Sequence, residues 1–112
     1  MCIRDRAEEY AAQRREQYDV VTSRAVARLN VLAELCLPFV RVGGQFLAMK
    51  GALAQEEVDE AQRAIRTLGG RVQRIYEYPV ADTTHRVVII EKVTPTPKQY
   101  PRAFAKIKKS PL

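Results

Sequence analysis

The sequence predicts an α/β chain built on a mixed sheet with one reversed strand, and three features point there. β-branched runs alternate with segments of helical period. The first strands are joined by connections long enough to hold a helix, which favours parallel pairing. The last two strands are joined by a short connection, which favours an antiparallel pair. At 112 residues, 46% hydrophobic and 29% charged, the chain is one domain or part of one. A chain of this size buries only about two thirds of its unfolded surface, so losing half of a shared core would leave it marginal.

The elements follow in order. Residues 1–6, MCIRDR, pattern with nothing downstream and read as an artefactual or truncated start, which would strip Cys2 of meaning. Ala7 to Gln17 is polar, with Ala7, Tyr10 and Ala11 at helical spacing, and predicts a short surface helix. Tyr18 to Ser23, YDVVTS, is a β-branched run and predicts a buried strand. Leu29, Leu32, Leu35, Cys36 and Phe39 share one helical face, and Pro38 should end or kink that helix. Gly43 and Gly44 predict a turn, with a strand over Gln45 to Lys50 after it.

The next helix is the best specified. Val58, Ala61, Ile65 and Leu68 line one face, acids sit early and Arg63 and Arg66 late, as the helix dipole favours, and Gly69 supplies a left-handed cap. Strands over Arg71 to Tyr78 and Arg86 to Val93 follow, joined by a loop from Pro79 to Thr84. The predicted domain body is 7–93, and 94–112 is a basic, Pro/Lys-rich tail in which TPTPKQYPR resists helix.

The formal net charge of +6 is concentrated in that tail, where Lys98, Arg102, Lys106, Lys108 and Lys109 stand without an acid. Such an end attracts a polyanion, nucleic acid foremost; the alternative is a solvated, disordered terminus. Two cysteines far apart, with no CxxC pair and no secretory signal, point to a reducing, cytoplasmic compartment. The apolar stretches are broken by Arg28, Glu34, Pro38 and Arg41, short of the roughly 20 residues a membrane span needs.

The single histidine, His85, has no nearby cysteine or carboxylate cluster, so metal binding and a histidine-based triad are not expected, and it reads as structural. Neither GxxxxGK[ST] nor GxGxxG occurs. What remains is position: open α/β sheets bind ligands beyond the carboxyl ends of their strands, which here present Thr22, Ser23 and Arg24, then Lys50 and Gly51. Arg24 and Lys50 are the candidates, against the alternative of a surface ion pair and a solvated strand end.

Several stretches together carry a resemblance: RAEEY at Arg6 to Tyr10, YDVVTSRAVARLNVLAELCLPFVRVGG at Tyr18 to Gly44, FLAMKG at Phe46 to Gly51, and KVTPTPKQYPR at Lys92 to Arg102 before KKSPL. The sequence resembles the glucose-inhibited division protein B (GidB) family, ribosomal RNA small subunit methyltransferase G. The resemblance implies the carboxyl-terminal half of a class I, Rossmann-like, S-adenosylmethionine-dependent methyltransferase sheet, with these strands as its fourth to seventh. The glycine-rich cofactor loop would then lie upstream of residue 1, leaving a fragment inactive alone. It further implies S-adenosylmethionine as methyl donor, contacts to it through Ala7, Glu8 and Arg24, methyl transfer to N7 of a guanine, and 16S ribosomal RNA or the small subunit as partner. Lys50, Lys98, Arg102, Lys108 and Lys109 are RNA-contact candidates on position and charge alone.

Three functions compete. The first is that RNA methyltransferase, with catalytic residues unassigned. The second is a non-catalytic basic module that binds RNA electrostatically, for which RNA affinity would depend steeply on salt. The third is a methyltransferase-like domain acting on a small molecule or protein, for which the tail would be incidental.

Overall fold

A computed structural model describes residues 15–24, 27–81 and 83–112. Tyr18–Ser23 forms β1, Leu29–Cys36 forms α1, and a single 3-10 turn over Leu37–Phe39 ends α1 where Pro38 stands. Val40–Lys50 is β2, Ala54–Thr67 is α2, Gly70–Val80 is β3, Thr83–Lys92 is β4 and Phe104–Lys109 is α3. The sheet order is β1-β2-β4-β3. β1 and β2 run parallel, while β4 is antiparallel to both of its neighbours and is the one reversed strand.

β4 inserts between β2 and β3 because a hairpin, unlike a helical crossover, can fold a strand back beside its predecessor. Its VVII run suits a central strand: Val88 and Ile90 are fully buried against Phe46, Ala48 and the helices, while Val87 and Ile89 face the other side half-buried. The core is gathered on the first face, where Leu29, Leu32 and Leu35 of α1 meet Val58, Ala61 and Ile65 of α2.

Two expectations are revised. Gly43 and Gly44 do not precede the strand; they lie within it. Between the pairs Tyr18↔Val40 and Val20↔Gln45, β2 advances five residues while β1 advances two, so the glycines occupy a bulge. A Cβ on Gly44 would stand 2.6 Å from the Asp19 carbonyl oxygen, so the two strands approach there only because no side chain intervenes. The Pro79 to Thr84 loop is shorter than expected, since β3 runs on to Val80 and β4 starts at Thr83, with Ala81 at φ 54° in the tight turn. Arg15 and Glu16 form a turn and Gln17 lies in no helix, while residues 7–14 of the helix expected over 7–17 lie outside the described residues.

The tail is packed rather than solvated. The TPTPKQYPR stretch is free of helix, as expected, but Thr96 and Pro101 are buried and α3 sets Ile107 into the core. Thr96 Oγ1 donates to the Leu68 carbonyl at 2.6 Å. The Arg15 guanidinium donates to the carbonyls of Thr96, Pro97 and Tyr100 at 2.6–2.7 Å. Arg102 grips the fully buried Glu34 of α1 through Nε (2.9 Å) and Nη2 (2.7 Å), and its backbone N–H donates to the same carboxylate at 2.8 Å. That hydrogen bond holds the Arg102 pKa above its ordinary value.

Lys92, at the end of β4, has no solvent exposure; its ammonium donates to the carbonyls of Leu37 (2.8 Å) and Val40 (2.9 Å) and lies 3.3 Å from Glu16. Burial lowers its pKa from 10.5 to about 8, against the opposing pull of Glu16. Between these values the unfolded chain holds a proton the folded chain has released, so stability rises with pH from about 8 to 10.5, and below that window the cost of burying the charge is constant. The urea-unfolding stability of wild type relative to Lys92→Met therefore grows across that range; a pH-independent difference would refute the assignment. Gly69 caps α2 at φ +89°, and a Cβ there would stand 2.2 Å from the Thr94 carbonyl oxygen. Gly69→Ala should cost about 2 kcal/mol or more in the same assay.

Candidate cofactor cleft at the strand ends

β1 and β2 are parallel and end side by side, so the loops leaving Ser23 and Lys50 open at one edge of the sheet. An open cleft of about 610 Å³ lies there, lined by Arg24, Ala27, Arg28, Met49, Lys50, Gly51, Glu57 and His85. Its position matches the expectation for open α/β sheets.

Lys50 and Glu57 form the floor. The Lys50 side chain is 7% exposed and that of Glu57 12%, and they pair at 3.0 Å. Lys50 Nζ also donates to the Ala27 carbonyl at 2.5 Å, while Glu57 Oε1 accepts the Leu29 backbone N–H at 3.0 Å. Leu29 N–H is one of the donors left without an intrahelical partner in the first turn of α1, and a carboxylate there also suits the helix dipole. The pair thus clamps both ends of the short stretch leading from the β1 loop into α1. One turn further along α2, Glu60 takes Arg28 bidentately at 2.8 and 3.0 Å. That hydrogen bond, then the charge itself, raises Arg28 and lowers Glu60 from their ordinary pKa values. The Arg28–Glu60 pair is exposed, so solvent screens it and it adds little to stability.

Arg24 is exposed at the cleft mouth, and among the described residues nothing hydrogen-bonds or ion-pairs with its guanidinium. A guanidinium in this setting is a ready receptor for a carboxylate or phosphate. Ala7 and Glu8 lie outside the described residues.

The other expected contacts divide in two. Lys50 and Arg102, expected on position and charge to face RNA, have their donors committed inward, Lys50 to Glu57 and Ala27, and Arg102 to Glu34 and the Ser110 carbonyl. Each neutralises a carboxylate that would otherwise be stranded in the core or near it. Lys98, Lys108 and Lys109 are exposed, with Lys108 Nζ 5.7 Å from the Phe104 ring centre. Sequence reasoning overlooked Glu57, whose only signal was its place at the start of a helix following Lys50. His85, read as structural, lies at the cleft edge and stacks against Tyr78.

Lys50→Met should strand Glu57 and cost about 3 kcal/mol or more, with faster amide exchange at Leu29, whereas Arg28→Met should leave the unfolding midpoint nearly unchanged. Equal losses in urea unfolding would remove Lys50 from the role of clamp.

Comparison with known proteins places this architecture. Residues 1–86 match the GidB family, described as rRNA small subunit methyltransferase G. The chain is 50% identical over 114 residues to the ribosomal RNA small subunit methyltransferase G of Clostridium tetani, covering 98% of this chain and 48% of that protein. The Levilactobacillus brevis protein of the same name is 49% identical over 112 residues, covering 96% and 46%. The Bacillus licheniformis one is 45% identical over 112 residues, covering 96% and 47%. The chain spans about half the length of the curated relatives it matches. Among solved structures, a T. thermophilus 16S rRNA methyltransferase, RsmC, in complex with AdoMet and guanosine, aligns with a TM-score of 0.45 at 21% identity, over 78% of this chain and 23% of that one. On its sequence, this chain belongs to the GidB family of rRNA small subunit methyltransferases.

Proposed function

We propose that this chain supplies the carboxyl-terminal part of an enzyme that moves a methyl group from S-adenosylmethionine to N7 of a guanine in 16S ribosomal RNA, in the cytoplasm. The observation that carries the reading is the coincidence of family membership with an exposed arginine at the carboxyl ends of parallel strands, whose guanidinium has no hydrogen-bond or ion-pair partner among the described residues.

The residues present fit the methyl donor in one respect that geometry can test. S-adenosylmethionine bears a carboxylate, and Arg24 is the cleft cation with its donors open among the described residues. Bound in the cleft, the donor would supply an electrophilic sulfonium methyl group. Ala7 and Glu8 are proposed as further contacts on the family resemblance.

Guanine N7 carries an in-plane lone pair, so no side chain has to remove a proton before attack. The chain's contribution is then to orient and to exclude water. Arg24 fixes the carboxylate end. Lys50 and Glu57 hold the loop that carries Arg24, and because they neutralise one another the cleft floor sets no net positive charge against a sulfonium. Lys98, Lys108 and Lys109 remain as phosphate contacts, which favour RNA without reading its sequence. Those exposed lysines also favour a second reading, a basic module that binds RNA without catalysis.

The test is a chimera that joins this chain behind the upstream half of the Clostridium tetani relative, assayed for methyl incorporation into 16S rRNA and for S-adenosylmethionine affinity by calorimetry. Arg24→Ala should weaken that affinity about tenfold or more, the loss of one charged hydrogen-bond pair, with the unfolding midpoint unchanged. Unaltered affinity would remove Arg24 from the site; RNA binding with neither methyl transfer nor cofactor affinity in the unmutated chimera would favour the second reading.

A further inference from the structure

Two neighbouring side chains just ahead of β1 take partners 80 to 85 residues away in the tail. Arg15 Nη1 donates to the Tyr100 carbonyl at 2.6 Å, and Nη2 donates to the carbonyls of Thr96 and Pro97 at 2.7 Å. Glu16 accepts the Thr96 N–H at 3.4 Å and pairs with Lys92. Glu16 stands at φ 53°, a left-handed conformation that a residue with a side chain adopts only where its surroundings impose it. Its N–H donates to the Pro38 carbonyl at 2.9 Å, so contacts to Pro38, Lys92 and Thr96 hold it there. The kink lets consecutive side chains serve different elements.

What Arg15 grips is a turn. Residues 97–100 are closed by the Tyr100 N–H donating to the Pro97 carbonyl at 3.1 Å, with Lys98 and Gln99 exposed at the centre. Three carbonyls of this stretch converge on one guanidinium, which turns their negative ends away from an approaching anion. No acid occurs in residues 94–112, and Glu16, the carboxylate that meets the turn, is neutralised by Lys92. Among the described residues nothing hydrogen-bonds or ion-pairs with the Lys98 ammonium. A lysine on a chain end is ordinarily a flexible point charge on mobile backbone. Here the backbone that carries it is fixed from beneath.

We propose that Arg15 is a positioning residue for RNA binding: by gripping the carbonyls of Thr96, Pro97 and Tyr100 it presents Lys98 to a phosphate of the RNA backbone. The proposal rests on the RNA reading above and deepens it by naming the residue that builds one of its phosphate contacts. Arg15 acts through the turn and not on the strand. A phosphate that meets a turn already in place does not have to order it on binding, so more of the charge attraction appears as affinity. Such a contact sets the position of the strand and reads none of its sequence.

The test follows binding of a fluorescein-labelled single-stranded RNA by anisotropy as salt is varied, with urea unfolding of each variant beside it. Lys98→Ala should weaken binding and reduce the salt slope by about 0.7, the loss of one phosphate contact on a single strand. Arg15→Met should produce the same reduction, and adding Lys98→Ala to it should have no further effect, because the contact is already gone. Arg15→Lys keeps the charge and loses the fork, so it should bind RNA as Arg15→Met does; it carries the test if the methionine variant does not fold. A purely structural Arg15 would instead lower the unfolding midpoint and leave the contribution of Lys98 intact. A wild-type slope in Lys98→Ala, additive losses in the double variant, or full recovery in Arg15→Lys overturns the proposal while leaving RNA binding in place. The same variants in the chimera with the upstream Clostridium tetani half should repeat the pattern; RNA binding there that ignores Lys98 also overturns it. Absence of RNA binding by the unmutated chain and chimera alike overturns the RNA reading and the proposal with it.

Discussion

The ion pair between Lys50 and Glu57 is the contact on which the cleft depends. It spans the end of β2 and the start of α2, and through the Ala27 carbonyl and the Leu29 N–H it fixes where the β1 loop enters α1. Two nearly buried charges are tolerated because each is also hydrogen-bonded to a backbone group that would otherwise lack a partner. The consequence is positional: Arg24 rides on a loop whose far end is anchored, so it reaches the cleft without being packed into it.

A similar economy runs through the rest of the molecule. Charged side chains are spent on backbone ends that hydrophobic packing cannot satisfy, with Lys92 on the carbonyls that close α1 and open β2, and Arg15 on three carbonyls of the tail. Apolar burial is left to one face of the sheet. The other face keeps Leu47, Met49, Val87 and Ile89 half-buried and Val20 and Tyr76 largely open, a distribution that suits a surface meant to meet something else.

How much of this could be read from residues alone depended on range. The period of Leu29, Leu32 and Leu35, the stop at Pro38 and the cap at Gly69 are local physics, and the structure follows them. The bulge at Gly43 and Gly44 was read as a turn because a glycine pair signals irregular backbone without saying whether pairing resumes across it. The position of β4 between its neighbours had a signal that connection length does not carry, namely the unbroken VVII run of a strand flanked by a strand on each side, fully buried on one face and half-buried on the other. The inward partners of Lys50 and Arg102 were hidden from the sequence for a different reason. A cation looks the same in sequence whether it faces water or a carboxylate, and the partner of Arg102 lies 68 residues away. The cleft was legible as a place, from the strand ends, and Glu57 was missed because its role exists only once α2 folds against α1.

The grip of Arg102 on Glu34 also orders events in time. Glu34 sits on α1 with no solvent exposure, and the guanidinium that neutralises it comes 68 residues later in the sequence. During synthesis α1 therefore emerges carrying a carboxylate with no cation to meet, and seating it fully in that state would bury a bare charge. α1 closes fully onto the core only once Arg102, 68 residues further along, can reach it.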